Sequence, residues 1–291
     1  MIWQRLNGEL ESFLSRTVPV PGSPAPLTQP WLQVVYGLLM QLCLGGLYSW
    51  SLFREPLAAL HGWDRATTVE PYRYSLLFYA VGMFIGGRWI DWAGPRWPGM
   101  TGGALLAAGC WLAAAAGDSP LRLTLAYGVC GGLGVGLAYG APIASCVRWF
   151  PHRRGLTTGI VLAGFGLATL VLAPILHWSL HRAPFAESIP ATFRGLAVAF
   201  LCIAVTAAAG LRFPPVAGAG VASERAGVAG LVRSPKAWGI WFLFFCGAAL
   251  GVTSVGEAVP LLQQAQAPWL AGGLAMACVA AGNTGGRLGW G

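Results

Sequence analysis

The chain has 291 residues, of which 56% are hydrophobic and only 10% charged, with a formal net charge of +8 at pH 7. A mean hydropathy of +0.62 excludes an ordinary soluble domain. The long unbroken apolar runs exclude a strand barrel, whose residues alternate in polarity. Backbone groups in hydrocarbon must be satisfied within their own segment, so the expected fold class is an all-α polytopic membrane protein.

Residues 1–30 are expected to form a cytoplasmic tail and linker. They lack the apolar core of a signal peptide, because Glu9 and Glu11 interrupt it. Ile2, Trp3, Leu6, Leu10, Phe13 and Leu14 recur at helical spacing, which suits either a surface helix or a loose tail. Pro19, Pro21, Pro24, Pro26 and Pro30 then read as an extended linker.

Span one is expected near 31–53 and is followed by a charged loop near 54–71 that contains Glu55, Asp64 and Glu70. Spans two to six are expected near 72–87, 99–116, 121–147, 156–178 and 193–211. Spans four and five organise the chain. Each holds an uncharged run of about 20 residues, at 127–147 and 156–176, enough to cross about 30 Å of hydrocarbon. Between them lies Arg148-Trp149-Phe150-Pro151-His152-Arg153-Arg154-Gly155, a basic turn that cannot sit in lipid. The glycines of span four (Gly128, Gly131, Gly132, Gly134, Gly136, Gly140) have apolar flanks, so they do not form a nucleotide-binding loop. They allow close helix packing or a bend in a moving helix.

A connection at 212–236 follows, then span seven near 237–255 and span eight near 269–288. The expected domains are therefore a six-helix half at 31–211, a cytoplasmic linker at 212–236 and two helices of a second half at 237–291. Twelve of the eighteen Lys and Arg residues fall on one side of these spans. By the positive-inside rule that side is cytoplasmic and carries the amino terminus. The positive charge is then an orientation signal, and nucleic acid is not expected as a partner.

The seven cysteines lie in or beside apolar runs and form no CxxC pair, which reads as small apolar packing. The four histidines form no ligand cluster. His177 and His181 share a helix face at the end of a span, a position that favours an interfacial role over a metal site. With no paired catalytic carboxylates, phosphate loop or metal cluster in the sequence, no enzyme, catalytic residue, metal or cofactor is expected.

Between spans two and three stands Gly87-x-x-x-Asp91-Trp92-x-Gly94-Pro95-Arg96. It resembles the signature loop of the major facilitator superfamily. Gly87 would allow close helix contact, and Asp91 would cap a helix start and pair with an arginine to hold a gate. More narrowly, the chain resembles the oxalate/formate antiporter family of that superfamily. The resemblance lies in GLYSWSLF at 46–53, GVGLAY at 134–139, RWFPHRRG at 148–155 and GNTGGRLGWG at 282–291.

The resemblance implies a fold of twelve helices, about eight of them present here, working by alternating access. It implies small mono- or dicarboxylates as substrates. The chain is expected in the cell (inner) membrane with the lipid bilayer around it, and a monomer is the expected state. The family faces its anion with an arginine on span eight and a lysine on span eleven. Arg287 matches the first, and the sequence stops before the second. Tyr48 and Tyr139 match aromatic cavity positions on spans one and four.

Alternatives stay open from the residues alone. Arg287 suits a carboxylate or a snorkelling anchor. Tyr48 and Tyr139 suit a cavity or plain packing. Arg96, Arg148, Arg153 and Arg154 read as gate and orientation residues, not ligands. Proton-coupled monocarboxylate transport, and a truncated chain that transports nothing, are the competing readings.

Overall fold

The computed structural model describes residues 28–214, 233–264, 278, 281–286 and 289. The tail at 1–27, most of the linker (215–232) and Arg287 lie outside the described residues. The described chain is helical throughout its regular structure, with no strand among those residues.

Span one is built in three pieces: α1 (Thr28–Leu44), a tighter 3-10 segment (Gly45–Trp50) and α2 (Ser51–His61). The overwound segment sits where the chain comes closest to span five. A methyl group on Gly45 would strike the carbonyl of Phe165 and lie 2.5 Å from the Ala168 side chain. Only glycine permits that approach.

α3 (Arg65–Ala93) begins well before the expected start of span two. The supposed loop at 54–71 shrinks to residues 62–64, with Gly62 in the left-handed conformation at φ 66°. Asp64 caps α3, its carboxylate accepting from the Thr67 amide at 2.9 Å. Of the charges that suggested a loop, Arg54 and Glu55 lie on α2, Asp64 is the cap, and Arg65 and Glu70 lie in the first turns of α3, which runs past the apolar region.

α4 (Arg96–Ala113) is span three. Span four runs continuously through α5 (Pro120–Leu123), a wider π-type segment (Thr124–Gly131) and α6 (Gly132–Trp149). α7 (Arg154–His181), α8 (Phe185–Gly210) and α9 (Pro235–Gln264) complete the labelled elements. The break between α6 and α7 falls at 150–153, in the basic turn read from the sequence.

Four stretches among the described residues are long and apolar enough to cross a membrane: Pro30–His61, Pro120–Trp149, Arg154–His181 and Phe185–Gly210. Large apolar side chains face outward, among them Phe84, Leu77 and Val198, as lipid-facing helices require. Trp92 and Trp178 are exposed at opposite ends of the bundle, where amphipathic rings settle at membrane interfaces.

The helices pair closely as α3 with α6, α4 with α8 and α1 with α7. The first seam is the tightest. Gly136 lies so near α3 that a methyl group there would strike the Tyr79 carbonyl. With lipid on the outside, such backbone approach supplies the association that water would drive in a soluble protein. At the end of the bundle beyond Tyr48, Trp50 donates its indole N–H to the Thr68 carbonyl at 2.9 Å. Phe53 stacks on Phe193 there at 4.6 Å.

Candidate functional site

The overwound turn of span one aims Tyr48 at Phe165 of α7, ring centroids 5.0 Å apart and nearly perpendicular. Phe165 in turn meets Tyr139 of α6 at 5.4 Å, and Tyr139 meets Tyr79 of α3 at 5.4 Å, both edge to face. One row of rings therefore crosses spans one, five, four and two. Phe165 is buried, whereas the three tyrosines of the row are half-buried. Edge-to-face contacts of this kind contribute about 0.5–1.5 kcal/mol each beyond burial.

The structure brings Tyr48 and Tyr139 together through Phe165, a residue the sequence reading did not single out. Tyr79 was missed too. An aromatic inside an apolar run carries no mark that separates cavity from packing. Gln41 did carry a mark, since a polar side chain within a span faces the protein interior. It is fully buried, and its Nε2 donates to the Tyr139 carbonyl at 3.3 Å. Its Oε1 has no hydrogen-bond partner among the described residues.

Arg287 lies outside the described residues. Three positions before it, Thr284 is buried against α7, and a methyl group on Gly166 would come within 2.7 Å of its Oγ1. That contact brings the described turn 281–286 against span five, one residue from Phe165.

At the other end of spans two and four, Arg148 Nη2 lies 4.0 Å from Asp91 Oδ1. Among the described residues Arg148 is thus the arginine beside Asp91. With 37% of Arg148 and 71% of Asp91 exposed, such a pair contributes at most about 1 kcal/mol. Asp91 does not cap a helix start. It lies in the last turn of α3, and α4 begins after Pro95 without a side-chain cap. Gly87 makes no close helix contact either, since a methyl group there would meet nothing within 4 Å. Its neighbour Gly86 takes that role, where a methyl group would come 2.6 Å from the Leu137 carbonyl. Arg96 is exposed and lies over the Trp97 ring at 5.8 Å. Arg153 precedes α7, where its carbonyl accepts from Thr157 Oγ1 at 3.0 Å, and Arg154 is exposed at the first position of that helix.

Arg148 has a second partner, the ring of Phe213, 3.6 Å from its guanidinium carbon. Phe213 follows the end of α8 and is set there by a polar clamp. Buried Gln33 of α1 donates to the Gly210 carbonyl at 3.1 Å and accepts from the Arg212 amide at 2.9 Å. Trp149 donates its indole N–H to the Arg212 carbonyl at 2.8 Å. Ser145 reaches the same carbonyl at 2.8 Å and Gln33 Oε1 at 3.0 Å, and its single proton serves one of them. Spans one, four and six are thus joined beside the Asp91–Arg148 pair.

A family model described as Major Facilitator Superfamily matches residues 56–291. This chain belongs to the Major Facilitator Superfamily. It is a multi-pass membrane protein of that superfamily, and it is similar to the oxalate:formate antiporter of Oxalobacter formigenes. The two are 32% identical over 237 residues, 79% of this chain and 55% of that protein. Apicoplast pyruvate carrier 1 of Toxoplasma gondii is 31% identical over 160 residues, 46% of this chain and 29% of the carrier. Monocarboxylate transporter 13 of Bos taurus is 30% identical over 149 residues, 51% of this chain and 33% of the transporter. The chain spans about half the length, or less, of the curated relatives it matches.

Proposed function

We propose that the chain serves secondary transport of small carboxylates of the oxalate and formate type by alternating access, without nucleotide hydrolysis. The observation that carries this is the similarity to the oxalate:formate antiporter, which takes in 79% of the chain, against about half for the monocarboxylate and pyruvate relatives. In this reading residues 31–211 are one six-helix half, 212–236 the cytoplasmic linker and 237–291 two helices of the other half. The amino terminus is cytoplasmic and the membrane is the cell's inner membrane.

The roles follow from chemistry. Arg287 supplies the cation, because a guanidinium forks onto a carboxylate with two parallel hydrogen bonds. Tyr48 and Tyr139 supply hydroxyls and a low-dielectric wall. In water-poor surroundings a charge pair is far stronger than in bulk solvent. The Asp91–Arg148 pair holds the inner gate. A contact worth at most about 1 kcal/mol suits that role, since it must break in every cycle.

Proton-coupled monocarboxylate transport is the second reading, favoured by the pyruvate and monocarboxylate relatives. Uptake into proteoliposomes separates the two. Antiport predicts oxalate uptake driven by internal formate and indifferent to a pH gradient. Symport predicts lactate or pyruvate uptake that needs an acidic exterior and no internal anion. Uptake of neither kind overturns both.

A further inference from the structure

His177 and His181 lie one helical turn apart at the end of α7 opposite the basic turn. Their ring centroids are 4.3 Å apart with the planes tilted by 33°. Nδ1 of His181 is 2.8 Å from the His177 carbonyl oxygen. A carbonyl only accepts, so Nδ1 carries the proton and the lone pair of the neutral ring sits on Nε2. A carbonyl on the far nitrogen is the arrangement that orients metal-binding imidazoles. Both residues are exposed. The Phe185 ring stands edge-on to His181 at 5.9 Å, and the neighbouring Arg182 guanidinium lies over the Trp178 ring at 5.2 Å.

We propose that His177 and His181 form a chelating site for a borderline divalent transition metal of the zinc or nickel class, with water in the remaining positions. Two imidazoles on one metal, each bond about 2.0–2.1 Å, put their centroids about 5 Å apart, close to the 4.3 Å observed, and rotation of the exposed rings about their side-chain bonds would turn both nitrogens onto one ion. Two histidines at this spacing on one helix face are a recognised zinc-binding element. Nitrogen donors without carboxylate oxygens do not suit calcium or magnesium.

The site lies where α7 turns into α8. That hairpin is already joined by Ser179 and Thr192, their hydroxyls 2.7 Å apart, and by Ser188 donating to the Leu180 carbonyl at 2.7 Å. A metal across the last turn of α7 stiffens this end of span five. Dissolved metal on that side of the membrane thereby gains a grip on a helix that carries Phe165 in the ring row.

The test is nickel titration calorimetry on the whole chain in detergent, with the exposed thiols of Cys202, Cys246 and Cys278 capped by N-ethylmaleimide. One molar equivalent of nickel is expected. His177→Gln and His181→Gln should each weaken it by at least about tenfold, since the second ligand then no longer binds at high effective concentration. His61→Gln should leave it unchanged. Nickel should also raise the melting temperature of the wild type and of neither site variant. The proposal is overturned if there is no saturable equivalent, if either site variant binds as the wild type does, or if His61→Gln removes the binding.

Discussion

Along the seam between α3 and α6 backbone meets backbone, with glycine where any side chain would collide. Along the row Tyr48–Phe165–Tyr139–Tyr79 ring meets ring, and three of the four rings remain half-exposed. The seam has no freedom, since a close-packed contact tolerates no added methyl group. The row has some, since an edge-to-face ring can tilt at small cost. In this account the seam holds the helices as one body, and the row is the surface that adapts to a ligand.

The largest effect is expected at Gly136. Gly136→Leu drives a side chain into the Tyr79 backbone and should cost about 3 kcal/mol or more. The expected result is loss of monodisperse protein in size-exclusion chromatography. Normal yield would mean that the seam gives way easily.

The ring row should behave in the opposite sense. Tyr139→Phe and Tyr48→Phe keep the ring contacts, so melting temperature should hold while carboxylate exchange falls by about tenfold, the worth of one hydrogen bond of about 1.4 kcal/mol. Unchanged exchange would assign both tyrosines to packing.

A smaller effect is expected at the gate. Asp91→Asn removes a contact of at most about 1 kcal/mol and should slow turnover up to about fivefold while leaving substrate affinity in place. Equal turnover would reduce the pair to a surface contact.

The smallest effect concerns Asp64, whose side-chain and backbone hydrogen bonds with Thr67 hold its carboxyl below the usual carboxylate range. A depressed acid adds stability that is fully present above its unfolded value, about 3.9, and is lost as pH falls through the lower folded value. Asp64→Ala should therefore lower the melting temperature by roughly 2 °C at neutral pH. The difference should hold down to about pH 5 and vanish only in stronger acid. A difference that grows on acidification would contradict the cap.

Much of this bundle was legible from residue types. Pro151 and Gly155 among three arginines mark the break between α6 and α7, because neither that backbone nor that charge belongs in lipid. The start of span two was not legible. Arg65 and Glu70 look like loop residues, yet a capped helix continues past the apolar region and carries them at its end. Gly87 was chosen where Gly86 makes the contact. Successive helical residues differ by about 100°, and a run of apolar residues does not fix the rotation that finely. The clamp of Gln33, Ser145 and Trp149 on Arg212 joins residues far apart in sequence, and only the packed bundle brings them together. The one readable sign was a glutamine inside the first apolar run.

Small-carboxylate exchange is decided by labelled oxalate counterflow in proteoliposomes. The account predicts rapid oxalate entry into formate-loaded vesicles, none into empty ones, and none with Arg287→Gln inserted at equal density. Oxalate entry that ignores internal formate, or an Arg287→Gln protein that exchanges normally, would contradict it.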